Sequence, residues 1–182
     1  MKMELKMDGK NGQGTIQELV AKKQEPLAEG PAGMQASKTV FVIRHGQDGG
    51  QGLSGQGREQ IRQSAEMIKS RVSGKSIAIW SSPAERAKES AEILSKILGV
   101  AEISLKKELE RDLLGMDENN QLKMWDEGGL WKRVIFQGRE DILILVTHLE
   151  EASKLSRLLR GHKDHLTHAK FFEAEVKSND DQ

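Results

Sequence analysis

Three short, unbroken apolar runs punctuate an otherwise polar chain: Val40–Ile43, Ile77–Trp80 and Ile142–Val146. Runs of this length between polar residues predict strands covered on both faces, since a half-exposed strand would alternate apolar with polar. Between the runs the period changes. After a glycine-rich loop at 48–52, Ile61, Ala65, Ile68 and Val72 recur at helical spacing behind a capping serine, Ser54. Ala87, Ala91, Leu94 and Leu98 repeat that spacing after Ser82-Pro83-Ala84-Glu85, which reads as a capping box with proline at the first helical position. This second helix is predicted from Pro83 to about Leu98, with Gly99 as its stop. A weak strand is expected at Ile103–Leu105, and a third helix, with Ala152, Leu155, Leu158 and Leu159 inward, follows the last apolar run. Phe172, Ala174 and Val176 alternate with charged residues and predict an edge strand. Strand then helix, three times over, predicts an α/β fold: a doubly wound, mostly parallel sheet with helices on both faces and an edge strand near the C-terminus.

Two regions lie outside this rhythm. Residues 1–37 are rich in Gly, Lys, Gln and Glu and hold two of the three prolines, Pro26 and Pro31. Such composition buries too little apolar surface to offset chain entropy, so a flexible or loosely packed N-terminal extension is expected, ahead of one domain over 38–178. Residues 106–140 are polar and poorly periodic, with Leu122, Trp125, Leu130 and Trp131 as possible anchors onto the body.

Composition narrows the partners. The 28 basic and 28 acidic residues cancel, so the overall field suggests neither nucleic acid nor a membrane surface as partner, and an anionic ligand has to be held locally. Cysteine is absent, which excludes disulfides, thiolate metal sites and cysteine nucleophiles. No apolar stretch reaches bilayer length, and a cytoplasmic protein is expected. The oligomeric state stays open.

Ligands of open α/β sheets bind beyond the carboxyl ends of the strands. Directly after Ile43 come Arg44-His45-Gly46-Gln47, directly after Val146 come Thr147-His148, and Arg86 falls in the first turn of the helix after the middle strand. Two guanidiniums and two imidazoles on one rim suit a phosphoryl group, whose roughly two negative charges favour planar, permanently charged donors. A neutral imidazole is a competent nucleophile toward phosphorus, and a second one stabilises charge on the transferring group. Gly46 would let the backbone approach the phosphate. The set needs no metal or other cofactor. His162, His165 and His168, spaced i to i+3 twice, superficially resemble a metal face, but Asp164 is the one acid close by and the three are read as ordinary surface or core residues.

Taken in order, Val42-Ile43-Arg44-His45-Gly46-Gln47, Leu53-Ser54-Gly55-Gln56-Gly57, Ser81-Ser82-Pro83-Ala84-Glu85-Arg86-Ala87 and Leu145-Val146-Thr147-His148 resemble the histidine phosphatase superfamily, which includes phosphoglycerate mutases and many phosphatases. The resemblance spans about residues 39 to 177. It implies a phosphohistidine intermediate with His45 as nucleophile, Arg44 and Arg86 as phosphate clamp, His148 as second pocket histidine, and Gly46, Gln47 and Ser54 as substrate-contacting positions. In size and loop pattern the chain looks like the short bacterial phosphohistidine phosphatases. It has Asp48-Gly49-Gly50-Gln51 where mutases usually carry a Trp-Asn pair. A general-acid glutamate of larger members would fall on Glu108 or Glu110, with Glu110 taken as the catalytic candidate and the short members lacking an obvious acid.

The expected activity is therefore a metal-independent phosphatase acting on phosphomonoesters or phosphohistidine, its partner a phosphorylated small molecule or a phosphohistidine protein. Two alternatives remain: a sugar- or metabolite-phosphate phosphatase with a cap from residues 106–140, lined by Trp125 and Trp131, and a non-catalytic phosphate-binding regulatory protein.

Overall fold

The computed structural model describes residues 37–110, 135–136 and 138–177. The chain divides into two compact units, Met1–Met34 and Gln35–Gln182, and every described residue lies in the second. Trp125 and Trp131, with most of the segment proposed as a cap, fall outside the described residues.

The elements follow the predicted order. Strand β1 (Ser37–Arg44) leads through the glycine-rich loop to helix α1 (Gly55–Lys69), then β2 (Ile77–Ser81), α2 (Glu85–Leu98), β3 (Ile103–Leu105) and a single 3₁₀ turn at Lys107–Leu109. After it come β4 (Ile142–Thr147), α3 (Leu149–Arg160) and β5 (Phe171–Lys177). The five strands form one sheet in the order β3-β2-β4-β1-β5, parallel except for β5, which runs antiparallel along β1.

Both faces of the central strands are covered. Phe41, Ile43, Ile79, Ile142, Ile144 and Val146 point to one side, against Ile61, Ala65 and Ile68 of α1 and Ala87, Ala91 and Leu94 of α2. Val40, Val42, Leu143 and Leu145 point to the other, against Ala152 and Leu155 of α3. A fully buried Ile or Phe stabilises the fold by roughly 2 kcal/mol, so these apolar runs supply most of the driving force for assembling the sheet. Strand β5 buries Phe172, Ala174 and Val176 and exposes Glu173, Glu175 and Lys177, charges that discourage further strands from pairing with its free edge.

Three local expectations are corrected. Helix α2 begins at Glu85 rather than Pro83, with Ala84 at the cap and no side-chain cap bond; Ser82 Oγ instead accepts from the Ala84 N–H at 3.2 Å and meets His148. Helix α1 ends at Lys69, and Val72 reaches the core from the turn beyond it. In α3 the small polar Ser153 and Ser156 are buried while Leu158 is only half-buried, since both hydroxyls bond the 161–170 loop folded against the helix. No described helix is long and apolar enough to cross a membrane.

Candidate active site

Register builds the site. Arg44 pairs with Thr147 and Ser81 with Val146, so β1, β4 and β2 end level with one another. Two backbone bonds continue the ladder past the strand ends: His45 N–H donates to the Thr147 carbonyl at 3.0 Å, and Ser82 N–H to the Val146 carbonyl at 2.9 Å. His45, Ser82 and His148 therefore stand side by side on one rim, and α2 delivers Arg86 from its first turn.

The histidines are buried, His45 5% exposed and His148 2%, with ring centroids 5.1 Å apart in an edge-to-face arrangement. His45 Nδ1 lies 2.7 Å from the Gly46 carbonyl, which can only accept, so the proton is on Nδ1 and Nε2 carries the lone pair. Arg86 Nε donates to that Nε2 at 3.0 Å. Burial, then Arg86, Arg44 and His168, pushes the His45 imidazole down to about 4 against the opposing bond to Gly46, and the ring is neutral near pH 7. Arg86 Nη2 also reaches His148 Nδ1 at 3.4 Å, and His148 Nε2 lies 3.0 Å from Ser82 Oγ. Arg86 thus links both imidazoles.

Arg44 approaches from the far side. Its Nη1 donates to the Leu166 carbonyl and its Nη2 to His168 Nε2, each at 3.0 Å, and its Nε is buried without a hydrogen-bond partner. The structure brings His168 in, its ring 5.8 Å from that of His45. It also brings in Asp48, whose carboxylate stands 3.6 Å from Arg86 Nη1 and is held below the usual carboxylate range by the Gly50 N–H, with Arg86 and His45 acting the same way. Sequence reasoning assigned neither residue to the site. His162 instead pairs with Asp164 at 3.5 Å, apart from His168, and among the described residues no three His, Asp or Glu are grouped to hold a metal ion.

The remaining expected residues separate. Gly46 and Gly57 pack backbone to backbone: a Cβ on Gly46 would collide with the Gly57 carbonyl, and one on Gly57 with Gln47. The glycine after His45 thus has its cause in helix packing. Its N–H is taken by Ser90 Oγ at 3.2 Å. Gln47 N–H donates to Gln60 Oε1, and Ser54 Oγ caps α1 by accepting from Gly57 N–H at 2.9 Å. Glu110 follows the 3₁₀ turn whose Leu109 carbonyl accepts from Thr147 Oγ1 at 2.7 Å, which places it near the end of β4. Neither Glu108 nor Glu110 has a hydrogen bond or ion pair to the imidazoles or guanidiniums of the site.

A sequence model of the histidine phosphatase superfamily (branch 1) matches residues 40–127. Over those residues the chain is similar to this superfamily. The superfamily's fold is recovered in solved structures. A phosphoglycerate mutase from Bacillus anthracis str. Sterne is 15% identical over 79% of this chain and 90% of its own, with a TM-score of 0.60. A mycobacterial glucosyl-3-phosphoglycerate phosphatase is 17% identical, covering 75% and 89%, with a TM-score of 0.57. The protein histidine phosphatase SixA, solved with tungstate, is 17% identical, covering 76% and 93%, with a TM-score of 0.53. At these identities the likeness is one of fold. No curated protein sequence matches the chain.

Proposed function

We propose that this protein is a phosphatase of the histidine phosphatase superfamily that hydrolyses phosphomonoesters or phosphohistidine through a phospho-His45 intermediate, with charge supplied by its own guanidiniums rather than by a metal. The observation that carries the reading is the neutral His45, its Nδ1 proton held by the Gly46 carbonyl and its Nε2 lone pair turned toward Arg86. A phosphoryl group entering beside Arg86 replaces the Arg86–His45 hydrogen bond with bonds to its own oxygens, which frees Nε2 to attack. Arg44, whose buried Nε lacks an acceptor, and His148 complete the pocket. The N–P bond forms as the bond from phosphorus to the leaving group breaks, and the leaving group departs with the electron pair. Water then attacks phosphorus, His45 leaves with the N–P electron pair, and inorganic phosphate is released.

An alkoxide leaving group needs a proton, whereas an aryl oxide or imidazole needs less help. With Glu110 bonded to nothing in the pocket and Asp48 held in its anionic form, labile donors suit this site better than alkyl esters. The likeness to SixA, a protein histidine phosphatase, is in keeping with that preference. Gln47 and Ser54 enter this reading through the loop they hold rather than through direct contact.

The test is phosphate release from an activated aryl phosphate with chelator present, comparing the unmodified protein with His45→Ala and His148→Ala. Release is expected from the unmodified protein and is lost, together with any acid-labile phosphoenzyme, in His45→Ala. Full activity in that variant sinks the mechanism. No release from a protein that still binds phosphate turns the reading into one of non-catalytic recognition.

A further inference from the structure

His168 belongs to none of the motifs that mark this superfamily in the sequence, yet its position is fixed from several directions. It precedes Ala169, a non-glycine residue with a positive φ, 59°, which is also only 2% exposed. That conformation costs on the order of 1 kcal/mol for an L-residue and persists where surrounding bonds over-determine it. Here they do. The Ala169 N–H is shared between the carbonyls of Arg44 and His45, both at 3.1 Å, and its own carbonyl accepts from Ser64 Oγ of α1 at 2.6 Å. The Lys170 carbonyl accepts from Arg44 N–H at 3.1 Å. Upstream, Asp164 ties the loop to α3 through Ser156 and Arg160, at 2.8 and 2.7 Å. The turn carrying His168 is thus bolted to the backbone of the two residues at the centre of the site.

From there the imidazole meets Arg44. A guanidinium has no acceptor, so Nη2 donates and His168 Nε2 accepts, which places the His168 proton on Nδ1 and leaves the ring neutral. Together with the bond from Nη1 to the Leu166 carbonyl, this holds the guanidinium at two of its three nitrogens from a single loop. A planar fork fixed at two points presents its remaining N–H groups in one orientation, the preorganisation that anion binding rewards.

We infer that His168 is a positioning residue of the phosphate pocket, which fixes the plane of Arg44 by accepting its N–H at Nε2. The inference rests on the reading of Arg44 as part of a phosphate clamp. It makes the loop between α3 and β5 a working wall of the site.

The experiment titrates inorganic phosphate into the unmodified protein, His168→Ala, His168→Gln and His168→Asn by calorimetry, and measures KM and kcat on an aryl phosphate alongside. Glutamine carries an amide oxygen about where Nε2 stands; alanine has no acceptor, and asparagine falls short. Loss of one charge-assisted bond predicts phosphate affinity about tenfold weaker in His168→Ala and His168→Asn, with KM raised by a similar factor and kcat changed less. His168→Gln is expected to stay within about threefold of the unmodified protein, a rescue that a purely structural role would not give. Equal phosphate binding by the unmodified protein and His168→Ala overturns the inference and leaves the phosphate reading standing. So does a His168→Gln variant as weak as His168→Asn, which remains informative if His168→Ala does not fold. An unmodified protein that binds no phosphate overturns the clamp reading itself, and this inference with it.

Discussion

His45 ties protonation to stability. Its imidazole is driven down to about 4 when folded, by burial first, against an ordinary value of 6.5. Between those two values the unfolded chain binds the proton and the folded chain does not, so stability rises with pH across that window and is lost on acidification from about 6.5 toward 4. The full effect is on the order of 3 kcal/mol. Urea unfolding at pH 7 and pH 4.5 should show the unmodified protein losing more stability on acidification than His45→Gln, and equal losses would mean that the ring is not neutral when buried. His45, the proposed nucleophile, and the residues grouped with it were legible in the sequence because each follows an apolar run that reads as a parallel strand, which points to the end where a ligand would bind. His168 was not legible for the converse reason. It enters the rim ahead of β5, and an antiparallel strand presents its beginning where the others present their ends. Asp48 was hidden because the turn through Gly50 and Gly52, with φ of 100° and 129°, folds its carboxylate back toward Arg86.

Among the elements, the contact between the His45 loop and the start of α1 leaves no room for a side chain. Gly46→Ala and Gly57→Ala each place a Cβ into opposing backbone, which has no flexible end to yield, whereas Gly55, one turn-face away on the same helix, faces open space. The first two changes are expected to cost about 2 kcal/mol or more and to lower aryl phosphatase activity at least tenfold by shifting His45. Gly55→Ala should be neutral or stabilising by up to about 1 kcal/mol. Urea midpoints of the three variants check the ranking, and an unchanged Gly57→Ala would show that the loop and helix can separate freely. Element identity and order were readable from periodicity, but the reading failed where a side chain has a tertiary partner. Ser82 with Glu85 spells a capping box, yet register with β4 fixes Ser82 on the rim, where its hydroxyl meets His148 and accepts from the N–H of Ala84, one residue ahead of the helix, rather than from within its first turn. Ser64 and Ser90 sit at helix positions that pattern assigns to no role, and both are buried against loop backbone at the site.

For the molecule taken entire, we propose that residues 38–178 are the self-sufficient domain and that the preceding extension adds little to its stability. A chain beginning at Gln35 is expected to unfold within about 0.5 kcal/mol of the full protein and to keep its phosphatase activity; a larger loss would mean that residues 38–178 are not self-sufficient. Alternating strands and helices announced a parallel sheet, but nothing in the periodicity states strand order, because order depends on which faces the crossovers cover. The order found has β4 between β1 and β2, which do not pair with each other. Consider that insertion while the chain is being synthesised. When the ribosome has released β1, α1, β2 and α2, the two apolar strands still await the neighbour that joins them, and it arrives only at Ile142–Thr147. Until then some of the most water-averse segments of the protein stay exposed, where chaperones and like segments of other chains can reach them.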